Sequence, residues 1–157
     1  MEKSQLYQEV LNELIEFFSH YQNLSDIAIM TTISSVIHMK FPQLVFVGFY
    51  ITRESNAVKY LEVGPYQGKV LACAKIDIGN GVCGTAAQRK QTIVVEDVNR
   101  FETYIACDCA SKSEIVVPVL HNDEVTSVLD IDSDVLGYFT EVDKEWLERI
   151  ISSFLIN

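Results

Sequence analysis

The hydrophobic pattern of the chain changes period along its length, and this change limits the folds that it can adopt. Residues 3–22 place apolar side chains at helical spacing, which predicts an amphipathic helix. Its predicted inner face consists of Leu6, Val10, Leu14, Phe17 and Tyr21. Ser25 is a predicted N-cap for a second helix that Pro42 ends. The inner face of that helix is predicted to be Ile27, Met30, Ile33 and Ile37.

From residue 44 onwards, β-branched and aromatic residues replace the helical spacing and predict strands. The six segments are LVFVGFYIT (44–52), VKYLEVG (58–64), KVLACAKIDI (69–78), TIVVED (92–97), EIVVPVL (114–120) and VTSVLDID (125–132). The segments RESNA, PYQG and HNDE are predicted turns. Thr140 and Asp143 predict a capping box for a last helix. Its predicted core face is Val142, Trp146, Ile150 and Phe154.

Short turns between the strands favour an antiparallel sheet, and helices at both ends of the chain can pack together on one of its faces. The sequence therefore predicts an α+β fold with a six-stranded antiparallel sheet. At 157 residues, the chain is predicted to be a single domain spanning 1–157.

Charge and cysteine content limit the function. A formal net charge of −10 argues against non-specific binding to nucleic acid or to an anionic membrane. The first residues are amphipathic and contain no apolar core of a signal peptide, so we expect a cytoplasmic protein. Stable disulfides are rare in that compartment, and the four cysteines therefore point to chemistry, a metal or inert packing.

The stretch YIACDCASKSEIVVP (104–118) places Cys107 and Cys109 in a predicted loop beside a buried strand. A disulfide, a metal site, a reactive nucleophile and an accident of composition all fit this pattern. A single C-x-C pair gives little support to structural zinc, and we predict no metal site. Cys73 lies in a predicted strand, where it serves either as a small hydrophobe or in chemistry. Cys83 lies between glycines at a predicted helix start, which would lower its thiol pKa.

Three acidic residues occur in or beside the last predicted hairpin. Glu114 opens one strand, and Asp130 and Asp132 lie near the end of the other, where alternation places these two on the same face. They form either a solvent-facing strand edge or a cup for an ammonium group. In the second case, one carboxyl held protonated by its neighbours can donate a proton to a substrate oxygen.

Several of these segments together resemble the free methionine-(R)-sulfoxide reductases, enzymes built on a single GAF domain. The resemblance rests on GPYQGKVLAC, GNGVCGTAA, DVNRF, YIACDCASKSEIVVP and VLDIDS. Cys73, Cys83 and Cys107 fall at the positions of that family's redox cysteines, 10 and 24 residues apart. The resemblance implies a GAF-like antiparallel sheet with the terminal helices on one face.

The resemblance also implies an activity, the reduction of free L-methionine (R)-S-oxide without a cofactor. Cys107 matches the nucleophile, Cys83 the main resolving cysteine and Cys73 a second redox cysteine, with thioredoxin as the reductant. The substrate-binding positions implied are Glu114, Asp130, Asp132, Phe46 and Tyr50. A homodimer is implied as well.

The chain departs from the family pattern at two positions. Phe46 stands where the family usually has tryptophan, and Cys109 is an additional cysteine. The alternatives to an enzyme are a non-catalytic GAF module that senses a small molecule and a zinc-stabilised interaction domain.

Overall fold

The structure is a computed structural model that describes residues 2–105 and 110–156. A short 3-10 helix spans Val98–Arg100. The helices are α1 (Lys3–Ser19), α2 (Asp26–Lys40), α3 (Gly81–Arg89) and α4 (Glu141–Phe154). The strands are β1 (Leu44–Ser55), β2 (Val58–Gly68), β3 (Lys75–Asp77), β4 (Ile93–Val95), β5 (Ser113–His121) and β6 (Glu124–Ser133).

The strands form one six-stranded sheet in the order β3-β2-β1-β6-β5-β4, and every pair is antiparallel. This confirms the predicted α+β fold with a six-stranded antiparallel sheet. Because side chains alternate along each strand, the sheet has a different core on each face. Buried residues of α1, α2 and α4 pack with Val47, Phe49 and Leu129 on one face. Residues of α3 pack with Phe46 and Tyr50 on the other.

Both predicted helix starts are confirmed. The backbone N–H of Ala28 donates to the Ser25 hydroxyl over 3.3 Å at the start of α2. At the start of α4, Thr140 and Asp143 form the predicted capping box.

The predicted inner faces of the helices were only partly right. Phe17, Tyr21 and Ile27 are exposed, as is Val142 in α4. In α4 the predicted Ile150 is buried, and the predicted Trp146 and Phe154 pack against the core. Asp143, Leu147 and Ile151 are the further buried residues of this helix. Asp143 turns inward because it pairs with Lys3 of α1, and the centre of the buried stripe moves with it towards Leu147 and Ile151.

An ion pair joins the first and last helices. Asp143 is fully buried, and Lys3 Nζ donates to its two oxygens over 2.9 and 2.8 Å. The hydroxyl of Tyr7 donates to Oδ1 of the same carboxylate over 2.9 Å. The Lys3 ammonium also lies 3.8 Å from the centroid of the Tyr138 ring. This cluster holds α1 against α4 on the face of the sheet opposite α3.

The middle of the sheet corrects two sequence predictions. The PYQG segment is not a turn, because β2 continues through it to Gly68. The β1–β2 register shifts between Gly48 and Tyr50, and this bulge accommodates Pro65, which cannot donate to a ladder. The third predicted strand shortens to Lys75–Asp77, so Cys73 lies in the segment before it rather than in a strand.

No helix within the described residues has both the length and the apolar character required to cross a bilayer.

Candidate functional site

The β5–β6 hairpin brings the three acidic side chains together. Glu114 pairs directly with Asp132, and Asp130 pairs with Val116. The turn residues Asn122 and Asp123 both have positive φ, as a two-residue hairpin turn requires. A register shift between Val119 and Leu120 inserts one extra residue into β6. Without this bulge Glu114 would oppose Ile131, whose side chain lies in the other core.

These carboxylates are buried and line one cavity. Glu114 is 5% exposed, Asp130 6% and Asp132 8%, which excludes the solvent-facing strand edge. The cavity lies on the α3 face of the sheet and is open to solvent. Carboxylates of like charge that lie close together repel one another, and a cationic ligand between them would relieve that repulsion.

The central strand β1 contributes the aromatic wall of the cavity. Phe46 and Tyr50 are each 2% exposed, and both line it. Phe46 pairs across the sheet with Asp132, so the apolar ring adjoins the acidic group. Burial raises the pKa of Tyr50 far above its usual range, and the negative charge of Asp130 adds to this effect. Its phenol therefore stays protonated at neutral pH and can donate a hydrogen bond.

Helix α3 places Cys83 at the edge of the acidic group. Gly79 and Gly81 before it have positive φ, and this geometry aims the helix start at the sheet. Cys83 Sγ lies 4.0 Å from Glu114 Oε1 and is 3% exposed. Burial raises the pKa of this thiol, and the charges of Asp130 and Glu114 raise it further. The expected lowering of the thiol pKa by the helix start is therefore wrong, because burial and three nearby carboxylates outweigh the helix terminus.

Three possible ligand atoms of the site lie close together. One ligand atom from each of Cys83, Glu114 and Asp130 lies within 4.8 Å of the other two. A thiolate with two carboxylates suits a divalent metal ion. The same carboxylates also suit the ammonium group of an amino acid, which needs no deprotonated thiol.

Comparison with known proteins agrees with the fold. The GAF domain family model matches residues 2–154. The free methionine-R-sulfoxide reductase of Saccharomyces cerevisiae is 42% identical over 91% of this chain and 82% of its own length. The chain belongs to the GAF domain family and, within it, to the free methionine-R-sulfoxide reductases.

Two further members of the free methionine-R-sulfoxide reductase family extend the comparison. The Escherichia coli protein is 40% identical over 82% of this chain and 74% of its own length. The structure of the Neisseria meningitidis enzyme in complex with its substrate is 34% identical, with a TM-score of 0.88. That superposition covers 97% of this chain and 87% of the other.

The three cysteines that the sequence predicts to be redox residues are in different situations. Cys83 is free and buried. Cys73 is half-buried, packs against the α3-side core and is disulfide-bonded. Cys107 and Cys109 lie outside the described residues. The structure therefore gathers Cys83, Glu114, Asp130, Asp132, Phe46 and Tyr50 around one cavity and places Cys73 beside its rim.

Sequence reasoning missed part of the cavity wall. These residues come from the segment before β3 and from the long loop before β5, where no periodicity marks a side chain as facing inward. They lay within motifs quoted for the resemblance but without an assigned role. They are Val70, Leu71, Ala72, Tyr104, Ile105 and Ser111.

Proposed function

We propose that this protein reduces free L-methionine (R)-S-oxide to L-methionine. The proposal rests on one observation: three buried carboxylates, an aromatic wall and a thiol meet in one cavity. Free methionine sulfoxide presents an ammonium group, a polar sulfoxide and a methyl group, and the cavity offers a complement to each of these three groups. The similarity to relatives named for this reaction supports the same conclusion.

The binding roles follow from the polarity of the wall. Glu114, Asp130 and Asp132 hold the ammonium group and polarise the sulfoxide oxygen. One of these carboxyls, kept protonated by its neighbours, donates a proton to that oxygen as the S–O bond breaks. Phe46 forms the apolar surface for the terminal methyl group, and the Tyr50 phenol acts as a hydrogen-bond donor.

The chemistry is a transfer of oxygen to a thiol. The Cys107 thiolate attacks the sulfoxide sulfur and forms an S–S bond. The oxygen then passes to the Cys107 sulfur as the substrate S–O bond and the new S–S bond break, which leaves a sulfenic acid on Cys107 and releases methionine. A second thiol then condenses with the sulfenic acid, which forms a disulfide and releases water. An external dithiol reduces that disulfide and becomes a disulfide itself, so the two electrons balance.

Two observations favour Cys73 over Cys83 as the thiol that resolves the sulfenic acid. The pKa of Cys83 is raised, so that its reactive thiolate form is scarce at neutral pH. Cys73 is less buried and already takes part in a disulfide. A resolving role for Cys83, as the family resemblance implies, remains the competing assignment.

The compartment, the oligomeric state and the reductant are part of the same proposal. We place the protein in the cytoplasm as a homodimer of single GAF domains spanning 1–157, with thioredoxin as the reductant. A non-catalytic sensing module would bind the sulfoxide and release it unchanged.

The cysteine roles are tested with variants and a chemical reductant. Methionine formed from free methionine (R)-sulfoxide is measured with dithiothreitol for Cys107→Ser and, as a matched control, Cys109→Ser. We expect Cys107→Ser to be inactive and Cys109→Ser to keep turnover within about two-fold. Mass spectrometry of the substrate-oxidised protein should find a peptide linking Cys107 to Cys73 or Cys83. A dominant linkage through Cys109, or an active Cys107→Ser protein, would contradict the assignment.

A further inference from the structure

A second ring lies beside the aromatic wall of the cavity and packs against it. Phe46 stacks on Tyr66 of β2, with ring centroids 5.2 Å apart and planes inclined by 26°. Phe46 lines the cavity, whereas Tyr66, which is half-buried, lies outside the lining given by the described residues. Phe46 pairs with Gly68 and Gly48 pairs with Tyr66, so the two rings are diagonal neighbours on adjacent strands.

Two glycines make this stacking geometrically feasible. A Cβ atom on Gly48 would lie 2.3 Å from Tyr66 Cβ and 2.9 Å from Phe46 Cζ. A Cβ atom on Gly68 would lie 2.5 Å from the Val45 carbonyl oxygen and 3.1 Å from Phe46 Cα. The positions across from Tyr66 and Phe46 therefore carry no side chain, and the Phe46 ring extends over Gly48 towards Tyr66. The β1–β2 bulge next to Gly48 sets this register.

We propose that Tyr66 is a positioning residue that fixes the Phe46 ring and thereby sets the size of the sulfur substituent that the cavity accepts. This inference rests on the proposed function. Tyr66 acts through Phe46 rather than on the substrate. Removing its ring leaves a space on β2 into which the Phe46 ring can move, and this enlarges the apolar side of the cavity. A polar contact to the substrate is not affected, so the change appears in the choice between substrates.

The experiment compares two free amino acids that differ by one methylene. The value of kcat/KM is measured for L-methionine (R)-sulfoxide and for its S-ethyl homologue, L-ethionine (R)-sulfoxide. One methylene in an apolar pocket changes kcat/KM by about 10- to 200-fold, and we expect wild type to prefer the methyl substrate within this range. The preference is expressed as the ratio of kcat/KM for the methyl substrate to kcat/KM for the ethyl substrate. Tyr66→Ala should lower this ratio by about tenfold. The ratio is independent of the fraction of folded protein, so a general loss of structure does not mimic the result.

Matched variants separate the stacked ring from other effects. Tyr66→Phe keeps the ring and should keep the wild-type ratio. Tyr60→Ala removes another tyrosine of β2, one whose ring contacts the Lys75 ammonium at 4.2 Å, and should also keep the ratio. If Tyr66→Ala does not fold, Tyr66→Leu fills part of the space without a flat face and should narrow the ratio in the same direction.

The outcomes distinguish the two claims. A discriminating wild type with an unchanged ratio in folded Tyr66→Ala or Tyr66→Leu refutes the role of Tyr66 and leaves the reaction standing. Equal narrowing in Tyr60→Ala also refutes it. A wild-type protein that reduces neither sulfoxide refutes the proposed function and this inference with it.

Discussion

Replacing Asp132 by asparagine removes one buried negative charge while the shape of the side chain is kept. Asp132 is 8% exposed, pairs with Glu114 across the hairpin and adjoins Phe46 on β1. Loss of one charged hydrogen bond to the substrate costs about 1.5–3 kcal/mol, which corresponds to a decrease of roughly 10- to 150-fold in kcat/KM. Stability should not fall in parallel, because the substitution relieves repulsion among three clustered carboxylates.

The assay is methionine formation from the free (R)-sulfoxide, combined with urea unfolding of the same samples. Asp134→Asn is the matched control, since Asp134 lies two residues further along the chain and is exposed. This control should change neither activity nor stability. Full activity in Asp132→Asn would refute the assignment of the acidic group to the substrate. A loss of activity that follows a loss of stability would reduce the residue to a structural role.

Three further predictions concern other parts of the molecule. Phe46→Trp should lower KM more than it raises kcat, because added apolar contact binds ground and transition states alike; a higher KM would mean that the cavity is shaped around phenylalanine. Asp143→Asn should destabilise the fold by about 3 kcal/mol in urea unfolding, because it removes the charge that pairs with Lys3, and should leave kcat of the folded protein unchanged. Burial raises the pKa of Tyr138 to about 12, so its contribution to stability is complete below pH 10 and is lost as the pH rises towards 12. Tyr138→Phe should weaken this alkaline loss in unfolding experiments, and an unchanged pH profile would show that other groups cause it.

Local signals in the sequence were sufficient for the element order. The pair Thr140 and Asp143 marked the start of α4, Ser25 marked the start of α2, and the HNDE turn marked the β5–β6 hairpin. Each of these features depends on neighbouring residues alone. Long-range packing decided what the sequence missed, such as the inward rotation of Asp143 towards Lys3 on a helix 140 residues away.

The candidate site was predictable only as far as strand alternation reached. Alternation placed Asp130 and Asp132 on one face. The position of Glu114 opposite Asp132 depends on the bulge in β6 opposite Val119, which no local sequence motif indicates. The raised pKa of Cys83 likewise depends on burial against the sheet, which the glycines around it do not encode. The contact between Phe46 and Tyr66 requires a second bulge and two glycines on adjacent strands.

One coupled measurement tests directly whether this chain turns over free methionine (R)-sulfoxide. NADPH consumption is followed with purified protein, thioredoxin and thioredoxin reductase, first with the free (R)-sulfoxide and then with the free (S)-sulfoxide and with a peptide that contains methionine sulfoxide. We expect NADPH consumption with the free (R)-sulfoxide, an equal amount of methionine formed, and little or no consumption with the other two substrates. Binding of the (R)-sulfoxide without consumption of NADPH, and without methionine formation when dithiothreitol replaces thioredoxin, would contradict the account and identify a sensing module instead.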